Sequence, residues 1–124
     1  QAEAFANRFF KDVSANDLRI GGKLSPKILF VKPGQRLSWQ YHHRRAEIWR
    51  VIEGEVVIQR SFSNEPGPEE FLKIGTQLTL KKGERHRLIG LSDWAVIAEI
   101  WQHTDPDYPS DENDIVRLQD DYGR

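Results

Sequence analysis

Residues 34–54 read "GQRLSWQYHHRRAEIWRVIEG". Two runs of aromatic and β-branched residues, "RLSWQY" at 36–41 and "EIWRVI" at 47–52, flank a polar corner and are bounded by Gly34 and Gly54. That is the pattern of two short strands joined by a turn. Side chains on a strand alternate between faces, so Gln40 and His42 share one face while Tyr41 and His43 take the other. Glu47 opens the second strand after a four-residue corner, which brings its carboxylate back beside His42. Two of the chain's four His fall here. The plain reading is a solvated turn; the sharper one is most of a metal site.

The same punctuation continues outward. Strand-like runs lie at "KILFVK", "EVVIQRSF", "EFLKI", "TQLTLK", "HRLIG" and "WAVIAEIW", with breaks at Pro33-Gly34, Glu53-Gly54, residues 64–70, Ile74-Gly75, residues 81–83 and residues 91–93. Many short strands at near-regular spacing predict an antiparallel sandwich or barrel. Upstream, Phe5, Phe9 and Val13 recur at four-residue steps, which predicts a short helix over 3–13 with one apolar edge. The expected division is a helix and connecting loop over 1–27, a barrel over 28–104, and a tail over 105–124. The polar tail is expected to lie across the outside of the sheets with one short helical or extended piece.

At 124 residues the chain has room for one core. With 38% hydrophobic and 30% charged residues it has a soluble globular composition. A net charge of −1 offers no general attraction to nucleic acid or an anionic membrane. No apolar run approaches the ~18 residues of a membrane span, and no signal-peptide pattern is present, so a cytoplasmic location is expected. There is no Cys, so any metal must be held by nitrogen and oxygen. The chain starts at Gln1 and lacks Met, which leaves room for a start residue or a larger region upstream.

Gly34-x5-Gln40-x-His42-x4-Glu47-x6-Gly54 resembles the first signature of the cupin jelly rolls, with Gln in place of the usual first His. Gly75-x5-Lys81-x-Gly83-x2-His86-x3-Gly90 resembles the second, with Lys81 and Gly90 replacing the usual Pro and Asn. The resemblance implies an all-β cupin jelly-roll β-barrel whose inward ligands, here Gln40, His42, Glu47 and His86, meet at the barrel mouth. More narrowly, "LSWQYHHRRAEIW", "KKGERHRL" and the closing "DIVRLQDDYGR" are similar to the isomerase domain of type II phosphomannose isomerases. Arg44 and Ile48 stand where that family commonly has His, Trp101 where it often has Gln, and the segment before "DENDIVR" is longer and Pro-bearing. The nucleotidyltransferase half of the bifunctional members has no counterpart in these 124 residues.

Two His, a carboxylate and an amide suit one divalent cation, with Zn²⁺ favoured and Mn²⁺, Fe²⁺, Co²⁺ or Ni²⁺ open. The plain alternative is that His42 and His86 are hydrogen-bonded core residues. Aldose–ketose isomerisation needs an electrophile, which a cation supplies, and a base. Glu99, His43 and Lys82 are the candidate bases, and the sequence does not choose among them. Arg45 matches the family's R-A-E element and is expected to touch substrate and assist catalysis. Arg87, with Arg85, Lys81 and Lys82, forms a second basic group beside His86. That group is either a phosphate site or a solvated hairpin. His43 and Trp101 complete the expected substrate contacts, and His103 reads as a surface residue.

The leading expectation is a metal-dependent isomerase interconverting mannose 6-phosphate and fructose 6-phosphate, with a small-molecule sugar phosphate as partner and a homodimer as an open option. The alternatives are a non-catalytic small-molecule-binding cupin and an iron-dependent cupin oxygenase.

Overall fold

The computed structural model describes residues 2–10, 25–103, 107–108, 110–111 and 113–119. One helix, α1 (Ala2–Phe9), precedes nine strands: β1 (Ser25–Val31), β2 (Trp39–Tyr41), β3 (Arg45–Glu53), β4 (Val56–Ser61), β5 (Glu70–Leu72), β6 (Gln77–Leu80), β7 (Arg85–Gly90), β8 (Ala95–His103) and β9 (Val116–Gln119). They form two antiparallel sheets, β1-β8-β3-β6 and β5-β4-β7-β2-β9. This is the expected all-β jelly-roll class, and all eight strand-like runs of the sequence are strands.

The period of two decides what fills the interior. On β3, Arg45, Glu47, Trp49 and Val51 share one face, and on β8 their register partners are His103, Trp101, Glu99 and Ile97. The inner row therefore grades from apolar to charged along the strand. At the apolar end Trp49, Val51, Val56, Ile58, Leu72, Leu80, Leu88 and Ile97 form the main core. At the other end the same two strands deliver two carboxylates, Glu47 and Glu99, and the Arg45 guanidinium to one place.

The opposite faces of β3 and β8 present Ile48, Ala98 and Ile100, and these pack with Phe10, Phe5 and Phe9 beneath α1. The Phe pattern thus marks a helix that shields the outer face of one sheet. Val13, the third residue of the expected stripe, lies outside the described residues. The β3–β4 turn needs Gly54 for two reasons. Its φ is +72°, and a Cβ there would run into the backbone carbonyl of Trp94.

Two boundaries differ from expectation. The first strand begins at Ser25, because the Ser25–Val31 backbone pairs along its length with β8 from Trp101 to Ala95. The tail does more than lie on the sheets: β9 extends one of them by pairing with β2. No helix among the described residues is long and apolar enough to cross a membrane.

Candidate metal centre and its cavity

Three of the expected ligands converge. The nearest ligand atoms of His42, Glu47 and His86 all lie within 4.8 Å of one another, and all three residues are buried. Gln40 pairs in register with His86, across β2 and β7, and lines the same cavity. Ser38 Oγ donates to Gln40 Oε1 at 3.1 Å, and the same amide oxygen has a lone pair left for a cation.

The hydrogen bonds set the tautomers. His42 Nδ1 lies 2.7 Å from the Asp114 carbonyl and His86 Nδ1 lies 3.2 Å from the Glu84 carbonyl. A carbonyl only accepts, so both Nδ1 atoms carry the proton and both Nε2 atoms keep a lone pair. Burial pulls the His42 pKa down to about 4, outweighing the opposing pull of Glu47. Burial likewise lowers that of His86. Burial alone would raise the Glu47 pKa, but His86, His42 and Arg45 together hold it below the usual carboxylate value.

At neutral pH, then, His42 Nε2 is an unprotonated nitrogen only 3.2 Å from the Glu47 Oε2 carboxylate oxygen. Two lone-pair atoms that close need positive charge near them. Arg45 supplies part of it, donating from Nε to Glu47 Oε2 at 2.7 Å and placing Nη2 3.3 Å from His42 Nε2. A divalent cation at the same point would take both lone pairs directly. The donor set of neutral imidazoles and one carboxylate fits a Zn²⁺-like ion.

The other two Glu47 and Glu99 contacts come from indole N–H groups. Trp49 Nε1 donates to Glu47 Oε1 at 2.8 Å, and Trp101 Nε1 donates to Glu99 Oε1 at 3.2 Å. The two carboxyl groups nevertheless behave differently. Burial, with the Glu47 charge adding to it, pushes the Glu99 pKa up to about 8, against smaller opposing pulls from Trp101, Arg45 and Lys27. Glu47 carries the negative charge and Glu99 the proton, the division of labour that acid–base sites use.

Arg45 is more committed than the sequence implied. It is buried and lines the cavity, yet each of its three nitrogens has a partner inside the protein. Beyond Glu47 and His42, Nη1 donates to Ser110 Oγ at 3.0 Å and to the Asp111 carbonyl at 3.1 Å. The guanidinium carbon sits 3.6 Å from the centre of the Trp101 ring. Trp101, Glu99 and Arg45 all line the cavity.

Four expected site residues do not. Lys81 and Lys82 are exposed on the β6–β7 turn and are not among the residues that line the cavity. The turn itself is held by Gly83, whose N–H donates to the His42 carbonyl at 3.0 Å. Arg87 is buried, but strand alternation puts it opposite His86 and Leu88, and its Nε donates to the Leu37 carbonyl at 2.9 Å. His43 is exposed, with its ring packed edge-on against Tyr41, as simple alternation had implied. His103 also departs from expectation. It is 1% exposed, within hydrogen-bond distance of Ser25 Oγ through Nε2 and accepting the Ser110 N–H at Nδ1.

The sequence reading missed the clamp that closes this end. The carboxylate of Asp114 accepts the backbone N–H of His43 and of Arg44, each at 2.9 Å, and the Ser110 hydroxyl at 2.6 Å. Burial would raise its pKa, but these three bonds and the Arg44 charge bring it below the ordinary value. One signal was available: the acidic residue just before the apolar "IV" in "DENDIVR". Downstream of it, Ile115 and Arg117 line the cavity mouth.

Residues 12–120 match the family described as "Mannose-6-phosphate isomerase C-terminal". The alginate biosynthesis protein AlgA of Pseudomonas aeruginosa is 35% identical over 112 residues, covering 90% of this chain and 21% of that protein. The xanthan biosynthesis protein XanB of Xanthomonas campestris pv. campestris is 34% identical over 110 residues, covering 88% and 22%. The chain thus spans about a fifth of the length of these relatives. Among solved structures, a cupin 2 conserved barrel protein from Salinispora arenicola aligns with a TM-score of 0.56 at 19% identity, covering 67% of this chain and 66% of that one. Recombinant oxalate oxidase in complex with glycolate aligns with a TM-score of 0.62 at 19% identity, covering 77% and 46%. These two speak to the fold alone. Fold, ligand spacing and sequence agree that this chain is a cupin barrel belonging to the mannose-6-phosphate isomerase C-terminal family.

Proposed function

We propose that this chain is a metal-dependent sugar-phosphate isomerase that interconverts mannose 6-phosphate and fructose 6-phosphate. One observation carries the reading: His42, Glu47 and His86 bring ligand atoms within 4.8 Å of one another, in a cavity that also holds the buried carboxyl group of Glu99, whose pKa burial pushes up. Family membership supports the substrate class. The cavity of about 190 Å³ suits the reacting end of a small metabolite rather than a polymer.

His42, Glu47 and His86, with Gln40 beside them, would hold the cation. When bound, it supplies positive charge that draws electrons from the sugar's carbonyl and adjacent hydroxyl. The rest falls to the chain's own side chains. Glu99 moves the proton: as carboxylate it takes hydrogen from C2 of the aldose, and as acid it returns hydrogen to C1, while the hydroxyl proton passes from O2 to O1. A pKa near the working pH lets one group fill both roles. Arg45 and Trp49 fix the two Glu47 oxygens, so the ligand carboxylate cannot rotate away. Trp101 gives Arg45 a flat surface and Glu99 an N–H partner, which keeps both from collapsing into the space the sugar needs. We place this activity in the cytoplasm, because ionised sugar phosphates do not cross bilayers and the enzyme must share their compartment.

Metal analysis of the purified protein and a coupled assay for fructose 6-phosphate test the reading together. The expected result is about one divalent ion per chain, turnover of mannose 6-phosphate, and loss of both in His42→Ala. A fully loaded protein with no turnover would leave a binding module and defeat the isomerase reading.

A further inference from the structure

His103 ends β8 opposite Arg45 and is fully enclosed by protein. A ring buried that deeply needs partners for both nitrogens. Nδ1 accepts the Ser110 backbone N–H at 2.9 Å, and Nε2 lies 2.8 Å from Ser25 Oγ. A backbone N–H only donates, so Nδ1 keeps its lone pair. The proton of the neutral ring therefore sits on Nε2 and is donated to Ser25 Oγ. This tautomer is the reverse of the one that His42 and His86 adopt. It ties the first strand to the tail through a single side chain.

Ser110 carries that contact further. Its hydroxyl accepts Arg45 Nη1–H at 3.0 Å and donates to Asp114 Oδ2 at 2.6 Å. Arg45 in turn donates from Nε to Glu47 Oε2 at 2.7 Å, and the Asp114 carbonyl accepts from His42 Nδ1 at 2.7 Å. Two candidate ligands, Glu47 and His42, are thus oriented through one serine, and His103 fixes that serine's backbone. His103 is not among the residues that line the cavity, so it acts through Ser110 rather than on anything bound there.

The arrangement suits one protonation state of the ring. A second proton would go to Nδ1 and face the Ser110 N–H, donor against donor, across a 2.9 Å gap. The charges around the ring come from three sides. Arg45 on β3 opposes a further positive charge, as does Lys27 on β1, whose ammonium stands over the Trp101 ring. Asp107, Asp111 and Asp114 on the tail favour one, and the last two already lie 3.6 Å and 3.9 Å from Arg44. Ser25 on β1 is neutral.

We propose that His103 is a positioning residue for the candidate metal centre. As a neutral imidazole it seats the segment from Ser110 to Asp114, which orients Arg45 and His42, and a second proton on the ring unseats that segment. The effect on metal rests on the proposed function; the seating of the segment does not.

The experiment compares wild type with His103→Asn and His103→Gln. An asparagine amide oxygen stands roughly where Nδ1 does and can accept from Ser110, whereas a glutamine amide reaches the Nε2 position and Ser25 instead. Neither takes up a proton. Competitive Zn²⁺ titration reads the metal centre, and residue-resolved amide exchange, corrected for the intrinsic pH dependence, reads Ser110. At about pH 7.5, His103→Asn should bind Zn²⁺ within about threefold of wild type and His103→Gln roughly 10-fold more weakly, the usual effect of disturbing a ligand's hydrogen-bond partners. Ser110 should be protected in wild type and His103→Asn and exchange freely in His103→Gln. On acidification to about pH 5, below the ordinary histidine value of about 6.5, wild type should lose the Ser110 protection and His103→Asn should keep it. Glu99 and Asp114 titrate in both proteins, so the difference between them belongs to His103. Equal Zn²⁺ affinity and equal Ser110 protection in His103→Gln and wild type would overturn the proposal. Acid behaviour of Ser110 that is the same in wild type and His103→Asn would overturn it too. If Ser110 follows the expected pattern but wild type binds no Zn²⁺, the metal reading fails and the seating role stands. Should a variant fail to fold, nitrogen NMR of the wild-type ring decides: a proton on Nε2 at about pH 7.5 supports the proposal, and a proton on Nδ1 defeats it.

Discussion

Asp114 offers the most direct test of how the tail completes the candidate metal centre. Its carboxylate accepts three hydrogen bonds, from His43 N and Arg44 N at 2.9 Å and Ser110 Oγ at 2.6 Å, and its own carbonyl orients His42 Nδ1 at 2.7 Å. Hydrogen bonds to a charged acceptor contribute about 1.5–3 kcal/mol each, and bonds that share one group are not additive. Asp114→Ala would leave two backbone N–H donors and the Ser110 hydroxyl without their acceptor at a position that is 3% exposed. The expected loss is about 3–5 kcal/mol, a large share of the roughly 5–15 kcal/mol that holds a domain folded. Because the carboxylate also anchors the carbonyl that holds His42, metal affinity should fall about 10-fold or more, the usual effect of disturbing a ligand's hydrogen-bond partner. Urea unfolding measures the first quantity and competitive metal titration of the folded variant the second. Asp114→Asn, which keeps size and one acceptor oxygen but turns an NH₂ toward a donor, should fall between wild type and Ala in both. Unchanged urea midpoints together with unchanged metal affinity in Asp114→Ala would refute the clamp.

Other outcomes follow from the same structure. In the metal-free protein, a Glu99 pKa of about 8 against an ordinary 4.5 means that folding binds a proton between those values, so stability falls as pH rises from about 4.5 to 8. Glu99→Gln should remove that slope, and the two unfolding curves should separate by up to about 5 kcal/mol across the window; parallel curves would show that Glu99 is not held protonated. Adding Zn²⁺ at a hundred times its dissociation constant should stabilise the fold by about 2.7 kcal/mol, seen as a rise in Tm that a chelator reverses and that His86→Ala lacks. Gly54→Ala should cost about 2 kcal/mol or more by denaturation, because φ is +72° and the new Cβ meets the Trp94 carbonyl. Gly83→Ala has the same backbone strain at φ +79° but open space around its Cβ, and should cost about half as much.

Much of the barrel was legible because burial imposes a period of two and turns demand particular residues. Trp49 and Val51 alternate with Ile48 and Ile52, and both sets are apolar because one faces the other sheet and the other faces α1. The convergence of the candidate ligands was legible for the same reason: once β2, β3 and β7 are strands, parity and two spacings bring His42, Glu47 and His86 together. What remained hidden was tertiary. Arg87 and His103 carry polar side chains, which on average lie at surfaces. Here each found a partner inside the protein, Leu37 for one and Ser25 with Ser110 for the other, and no local pattern announces such partners. Lys81 and Lys82 sit near His86 in sequence, but a tight turn at Gly83 sends them outward. β9 was hardest to see, since "VRLQ" is short and mixed, and becomes a strand only because β2 offers it an edge.

That edge explains why a polar tail belongs to the cavity end at all. Without β9 the β2 edge would expose unpaired backbone groups, and the charged end of the inner row would open to water. Water would lower the Glu99 pKa toward its ordinary value, and it would weaken the grip of Arg45 on Glu47, since both depend on a poorly solvated site. The segment from Ser110 to Arg117 answers each need in turn. Ser110 bonds Arg45, Asp114 fixes the His42 corner, Ile115 covers the cavity wall, and Arg117 faces its mouth. With Arg45 and Glu47 compensating each other and Glu99 neutral, the inner site carries no net charge before a cation binds. A divalent ion would leave it two positive charges in excess, about the charge of a phosphate dianion. On the proposed reading, metal should therefore tighten phosphate-sugar binding well before any chemistry occurs. Calorimetric affinity for the sugar phosphate should be markedly higher with the ion than without it, and equal affinity in both states would show that the two charges do not act on each other across the cavity.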